Sequence, residues 1–159
     1  MGELAGQPNY FIEKIWMGLP GVDGFEYGWQ EYRYTEFFGK EWDKPDRTTP
    51  KLHTIRRDEH NRWKPGMKIH PVINNRTPDR FQFAPVIECK SVQRIEIKWS
   101  HDWEDTPLGV QVLVFIDGEL FSDLDKLAIN DGFPSVEAFF QYFNTDFKGN
   151  LIHWTDLKY

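Results

Sequence analysis

The chain has 159 residues, of which 40% are hydrophobic and 16% aromatic, and this composition predicts one packed globular domain over residues 1–159 and excludes a disordered segment. No run of about 18 apolar residues is present, which excludes a membrane-spanning helix, and the first residues lack a signal-peptide pattern, so secretion is not expected. The net charge of −6 excludes strong non-specific binding of nucleic acid by the chain as a whole.

The first predicted element is a helix over residues 9–18, in which Asn9 is a plausible N-cap and Gly18 a plausible end. Residues 19–50 differ, because Gly and Pro punctuate aromatic and charged residues without a sustained period. We predict an aromatic-rich insertion there, mostly loop with at most one short helix. Loops of this length usually cover a functional site.

From residue 51 onward the pattern predicts an antiparallel sheet followed by two helices. Asp117-Gly118 predicts a hairpin turn, and Ser135 predicts the N-cap of the second helix. Five or six antiparallel strands with few helices indicate an α+β fold, a small mixed β-barrel with flanking helices. The predicted strands are 51–55, 67–73, 81–88, 92–99, 110–116 and 150–155, and the predicted helices are 122–130 and 135–144.

Charge is distributed unevenly along the chain. Residues 51–99 hold eleven Lys or Arg against five Asp or Glu, whereas both flanking segments are acidic. A basic segment of this kind favours a focused site for an anionic ligand. The alternative is that the three segments pair with one another in the folded protein.

Lys51 and Thr54 are the strongest catalytic candidates in the basic segment. A buried lysine near other cations has a lowered pKa, and such a lysine beside a hydroxyl can activate it as a nucleophile. Positions 51 and 54 point to opposite faces of a regular strand, so a shared site requires a turn or bulge near Lys51. Otherwise Lys51 is a solvated lysine and Thr54 an ordinary strand residue.

Other residues of the segment are candidates for ligand binding. Arg56 lies on the same strand face as Thr54 and suits a phosphate or a base edge, although an ion pair with a distant acid is an equal alternative. Trp63 suits stacking on a base, or packing under a turn. Asp131, between the two predicted helices, suits proton transfer or capping of the second helix. The remaining ligand-binding candidates are His53, Arg57 and Lys64.

The sequence predicts no metal and no cofactor. The five histidines are scattered, and no phosphate-binding loop, dinucleotide-binding turn or zinc-protease motif is present. The single cysteine, Cys89, predicts a buried thiol in a reducing, cytoplasmic setting.

Three short motifs in order carry a family resemblance. They are Lys-x-His-Thr-Ile-Arg from Lys51, Arg-Trp-Lys-x-Gly from Arg62, and Asp-Gly-Phe-x-Ser-x-Glu from Asp131. This pattern resembles the ASCH domains of the PUA-like superfamily, over roughly 9–18 and 51–157. The resemblance implies a small β-barrel with a cleft for RNA or a modified nucleoside.

One branch of that family hydrolyses acetylcytidine with a Lys, a Thr and a Glu. By position these roles fall on Lys51 as base, Thr54 as nucleophile and Asp131 as proton donor. The chain departs from that branch in having Asp for Glu and about thirty inserted residues before Lys51.

Three hypotheses of function follow. The first is a cleft that binds RNA or a modified nucleoside or nucleotide. The second is an amidohydrolase that acts on an acetylated cytidine. The third is a protein-interaction module whose insertion at 19–50 presents an apolar surface to a partner.

Overall fold

The structure is a computed structural model that describes residues 9–21, 24–42, 48–100 and 111–159. In chain order the elements are α1 (Phe11–Met17), α2 (Gly24–Phe38), β1 (His53–Arg56), β2 (Lys68–Ile69), β3 (Val72–Ile73), β4 (Phe81–Gln82), β5 (Ile87–Glu88), β6 (Ser91–Ser100), β7 (Gln111–Ile116), β8 (Glu119–Phe121), α3 (Leu124–Asn130), α4 (Val136–Tyr142) and β9 (Phe147–His153). The predicted mixture of helices and antiparallel strands is confirmed.

The largest sheet has five antiparallel strands in the order β1-β9-β6-β7-β8. Its central strand β6 alternates strictly, with the odd positions from Ser91 to Ile97 buried, as expected of a sheet with one covered face. Asp117 and Gly118 both have positive φ, 51° and 90°, which confirms the predicted hairpin turn between β7 and β8. Within the described ranges β1 and β8 are edges of this sheet, so the predicted barrel closure is not seen there.

Helices α3 and α4 cover one face of this sheet. Leu127 from α3 and Phe139 from α4 are almost fully buried in a core with Ile95, Ile97 and Leu151. Both helices begin at residues whose side chains cap them. Asp123 Oδ1 accepts from the Lys126 amide at 3.3 Å, and Ser135 Oγ accepts from the Ala138 amide at the same distance. The two predicted helices are therefore confirmed, and Ser135 is the N-cap of the second.

The prediction that residues 19–50 are mostly loop was wrong. They contain α2, a helix of 15 residues whose Tyr27, Tyr34 and Phe38 recur at helical spacing. Tyr34 packs against Trp42 and Phe81, at ring-centroid distances of 5.2 and 5.7 Å, in a second apolar core that also includes residues of α1. Burial of these aromatic rings outweighs the roughly 1 kcal/mol that a helical glycine such as Gly28 costs.

Helix α2 also has three large apolar side chains that are partly exposed. Trp29, Tyr32 and Phe37 are about half exposed, and the first two stack with ring centroids 5.7 Å apart. This surface lies in the segment predicted to contact a partner.

The strands predicted at 67–73 and 81–88 are shorter than expected. They form two separate pairs of two-residue strands, β2 with β5 and β3 with β4. Pro71 and Pro85 interrupt the runs, because proline has no N–H to donate to a neighbouring strand. The last strand, predicted at 150–155, is β9 and is shifted toward the N-terminus. None of the helices in the described ranges has the length and apolar content needed to cross a lipid bilayer.

Candidate functional site

A cleft of about 890 Å³ lies where α1, residues 48–56 and the turn between α3 and α4 meet. Its charged lining residues are Lys14, Lys51, Arg56 and Asp131. Its aromatic lining residues are Tyr10, Phe11, Phe133, Tyr142 and Phe143. Thr54 lines it as well, so all three residues predicted to be catalytic face one space. A cleft of this size and mixed lining suits a small organic ligand.

Lys51 reaches the cleft because it lies before β1 rather than in it. Its amide donates to the Lys14 carbonyl of α1 at 2.8 Å, and the next amide, of Leu52, donates to the Asn130 carbonyl of α3 at 2.8 Å. These bonds replace strand pairing at Lys51, so the alternation of the strand begins only at His53. The opposite-face constraint on Lys51 and Thr54 therefore does not apply.

Lys51 and Asp131 form a buried ion pair. Lys51 Nζ lies 2.8 Å from Asp131 Oδ1, each side chain is 7% exposed, and Nζ also donates to the Asp131 backbone carbonyl. The same carboxylate oxygen accepts from the Ile55 amide at 3.1 Å. The alternative prediction, that Asp131 caps the second helix, was wrong: Asp131 is the C-cap residue of α3, and Ser135 caps α4.

Gly132 lets the turn approach Lys51 closely. Its φ of 92° is in the range that favours glycine, and a Cβ there would lie 3.3 Å from Lys51 Cδ. The backbone of the turn thus packs on the aliphatic part of the lysine and holds its ammonium group toward Asp131.

Burial and charge shift the pKa values of this pair. Burial raises the pKa of Asp131, but Lys51 and His53 stabilise the carboxylate more, and the pKa is below its usual value. Burial lowers the pKa of Lys51, with Asp131 opposing that shift and Arg56 adding to it, and the net direction is downward. At neutral pH Asp131 is therefore ionised, and Lys51 releases its proton more readily than an exposed lysine.

Lys14 is a cleft residue that the sequence predictions missed. It is 9% exposed, and its Nζ donates to the Gly132 carbonyl at 2.7 Å. Burial lowers the pKa of Lys14, and the charge of Lys51 lowers it further. Helical spacing was the available signal, since Phe11, Lys14 and Gly18 share one face of α1 and that face meets Lys51.

His53 lies behind the cleft rather than in its lining. Its Nε2 is 2.7 Å from the Tyr159 hydroxyl, which also accepts from Asn130 Nδ2 at 3.0 Å. Its Nδ1 is 3.3 Å from Asp131 Oδ1 without a well-aligned hydrogen bond, and burial lowers the pKa of His53 although Asp131 opposes that shift. His53 therefore contacts the acid of the site from the buried side.

Arg57, Trp63 and Lys64 lie outside the cleft lining. The guanidinium of Arg57 stacks over Phe147, 5.7 Å from the ring centroid. Trp63 belongs to a turn held by Asp58, and the sequence predictions also missed this acid. The structure therefore gathers Lys51, Thr54, Arg56 and Asp131 at one cleft and places the other ligand-binding candidates elsewhere.

The Asp58 carboxylate organises that turn. It accepts from the Arg62 and Trp63 amides, each at 3.0 Å, and from Asn150 Nδ2 of β9 at 3.1 Å. The Trp63 amide does most to hold the pKa of Asp58 below its usual value; burial opposes it, and the Arg62 amide and Asn150 lower the pKa further. Asp58 thus links the basic segment to the sheet.

In the part of the chain that the structure describes, no three His, Cys, Asp or Glu side chains are grouped so as to hold a metal ion. Cys89 is buried and has no disulfide partner.

In comparisons with known proteins, no family model, no curated protein and no solved structure matches this chain. The charges, hydrogen bonds and shape of the cleft are therefore the basis of the functional proposal below.

Proposed function

We propose that the cleft binds RNA or a modified nucleoside or nucleotide, in a domain of ASCH-like, PUA-like character. The observation that carries the proposal is that Lys14, Lys51 and Arg56 line one cleft together with aromatic side chains. Cations attract the phosphate groups of such ligands, and aromatic rings stack on their bases. The barrel closure and the cytoplasmic setting expected from the sequence belong to this proposal.

Arg56 is the residue best suited to contact a ligand first. Its side chain is exposed at the cleft, and no carboxylate among the described residues lies within 4.0 Å of it. An unpaired guanidinium can form two parallel hydrogen bonds to a phosphate or a base edge. The alternative of an ion pair with a distant acid gains no support in the described residues.

Binding of a six-nucleotide single-stranded RNA of mixed sequence, and of the four common nucleosides, tests the proposal. Arg56→Ala is expected to weaken RNA binding about tenfold and to reduce its salt dependence by roughly one phosphate contact. Arg57→Ala is the matched control, since Arg57 is adjacent, exposed and outside the cleft. Equal losses in both variants would point to general attraction, and no binding of any probe would reject the proposal.

A second candidate, an amidohydrolase acting on acetylcytidine, is favoured by one specific observation. Lys51, whose pKa is lowered by burial, lines the same cleft as the Thr54 hydroxyl. A lysine of this kind can act as a base toward a neighbouring hydroxyl.

The proposed reaction has two steps. Thr54 Oγ1 attacks the acetyl carbonyl carbon while neutral Lys51 takes the hydroxyl proton, and the carbon–nitrogen bond then breaks as Lys51 returns that proton to the leaving amine of cytidine. Neutral Lys51 then takes a proton from a water molecule whose oxygen attacks the acetyl ester; the bond to Thr54 Oγ1 breaks, Lys51 returns the proton to Oγ1, and acetate leaves. The ionised Asp131 positions Lys51 here, a role that its contacts suit better than proton donation.

Release of cytidine from acetylcytidine, followed by chromatography, tests this candidate. We expect Lys51→Met and Thr54→Val to abolish release, while Lys64→Met, a change outside the cleft, retains it. Release that persists in Lys51→Met would reject the assignment. Binding without release in the wild-type protein would leave the first proposal standing alone.

A further inference from the structure

Two buried lysines are anchored to consecutive carbonyl groups. Lys51 Nζ donates to the carbonyl of Asp131, and Lys14 Nζ donates to the carbonyl of Gly132 at 2.7 Å. The two ammonium groups therefore sit side by side along one turn, although they come from α1 and from the segment before β1. Each lysine is less than a tenth exposed.

Among the described residues that line this end of the cleft, the positive charges outnumber the negative ones. Asp131 pairs with Lys51 at 2.8 Å, and no carboxylate among the described residues lies within 4.0 Å of Lys14 Nζ. Arg56 adds a third cation to the lining. Three cations thus share one acid within the described residues, an arrangement that costs free energy unless an anion binds.

Hydrogen-bond donors remain available at these cations. An ammonium group has three N–H bonds, and Lys14 uses one of them on the Gly132 carbonyl. The Arg56 guanidinium carries five N–H bonds in a planar fork. Donors that converge from two elements suit an anion with several oxygens better than a single carboxylate edge.

We propose that Lys14, Lys51 and Arg56 form a subsite for a phosphate monoester, so that the cleft takes a nucleoside monophosphate in preference to a neutral nucleoside. A phosphate monoester carries a charge of about −1.5 to −2 and three acceptor oxygens, which match the excess of cations and donors. This inference rests on the proposed nucleotide-binding function and adds the chemical group that the ligand must carry. The monoester belongs either to a free nucleotide or to the 5′ end of an RNA.

Calorimetric titration with the four nucleosides and their 5′-monophosphates tests the subsite. We expect the best monophosphate to bind at least tenfold tighter than its nucleoside, because charged hydrogen bonds to the phosphate are added. Lys14→Gln, whose amide can still donate to the Gly132 carbonyl, and Arg56→Gln are each expected to remove most of this preference. Lys68→Gln, an exposed lysine outside the cleft, is the matched control.

Two further probes separate the sources of the phosphate. The six-nucleotide RNA is titrated with and without a 5′-phosphate, and a gain confined to the phosphorylated form assigns the subsite to an RNA end. Inorganic phosphate is tested by its effect on the unfolding temperature of the wild-type protein and of Lys14→Gln. Circular dichroism of each variant establishes that it is folded.

The outcomes distinguish the subsite from the cleft as a whole. Equal affinity for nucleosides and monophosphates would overturn the phosphate subsite and leave the nucleoside cleft standing. Stabilisation by inorganic phosphate that depends on Lys14, without any binding of nucleosides or nucleotides, would support the subsite and overturn the nucleotide proposal. No response to any probe would overturn both.

Discussion

The backbone of Gly18 at the end of α1 lies directly against the carbonyl group of Lys51. A Cβ at Gly18 would overlap the Lys51 carbonyl oxygen and lie 2.9 Å from the carbonyl carbon, with no flexible side chain to move aside. The absence of a side chain at Gly18 therefore fixes how closely α1 approaches the cleft. The φ of Gly18 is −89°, so the constraint is one of space rather than of backbone conformation.

We expect Gly18→Ala to lower the free energy of unfolding by about 1–3 kcal/mol, as overpacked sites commonly do, and to weaken ligand binding by displacing Lys51. Gly28→Ala is the matched control. Nothing lies within 4 Å of a Cβ at Gly28, and α2 should gain roughly 0.5–1 kcal/mol from the change. Denaturant unfolding of both variants measures the difference, and equal effects would contradict the packing described.

Removing the charge of Asp131 should leave Lys51 as a buried ammonium without its partner. We expect Asp131→Asn to destabilise the protein by about 3–5 kcal/mol, the usual cost of breaking a buried pair on one side. The double variant Lys51→Met with Asp131→Asn should recover part of that loss, since it removes both charges. Urea unfolding of the single and double variants gives the coupling energy, and strictly additive losses would argue against the ion pair.

The burial of His153 leads us to expect that the protein loses stability in mild acid. It is fully buried, neither ring nitrogen has a hydrogen-bond partner among the described residues, and burial together with the charge of His53 lowers its pKa to about 4. The unfolded chain takes up this proton near pH 6.5, whereas the folded protein does so only near pH 4. Stability therefore falls as the pH is lowered through this window, by about 3 kcal/mol in total.

Replacing His153 by Leu isolates that contribution. We expect the unfolding free energy of His153→Leu to depend less steeply on pH between 6.5 and 4 than that of the wild type. Thermal and urea unfolding at half-unit pH steps measure the two slopes. Identical slopes in this window would show that His153 is not held neutral by the fold.

The turn at residues 58–63 should depend on the ionised form of Asp58. Because the pKa of Asp58 is lowered in the folded protein, its contribution to stability is present above its unfolded pKa and is lost as the pH falls through the folded value. We expect Asp58→Ala to destabilise the protein clearly more than Glu59→Ala, its exposed neighbour. The affinity of the cleft for its ligand should change little, and a loss of binding equal to that of Arg56→Ala would contradict the separation of turn and cleft.

The sequence motifs predicted that Lys51, Thr54 and Asp131 share one site. They did not predict which contacts bring these residues together. Alternation along β1 did predict that Thr54 and Arg56 share a face, and both line the cleft, whereas His53, predicted to bind the ligand, is buried outside the lining. Lys51 lies outside this alternation because its segment is hydrogen-bonded to α1 and α3. A local sequence pattern does not reveal those partners.

Long-range packing also explains what the sequence predictions missed. Helix α2 was obscured by Gly28 and by flanking prolines, and it is stabilised by the distant Phe81 and by Trp42, which follows the helix. Lys14 was missed because its partner, the Gly132 carbonyl, lies 118 residues away in the sequence. Trp63, part of the Arg-Trp-Lys-x-Gly motif, was predicted to bind the ligand. Its amide instead donates to Asp58, in a turn that lies outside the cleft lining.

Among the described strands, β9 is the one that pairs with β1, which follows Lys51 and carries Thr54 and Arg56; His53 lies opposite His153. About a hundred residues separate these partners, and closing so long a loop is entropically costly and slow. In a refolding experiment the local hairpin of β7 and β8 can form early, whereas the cleft can form only after β1 and β9 have paired. We therefore expect Thr54 and Arg56, which β1 carries, to reach their positions in the cleft late in refolding.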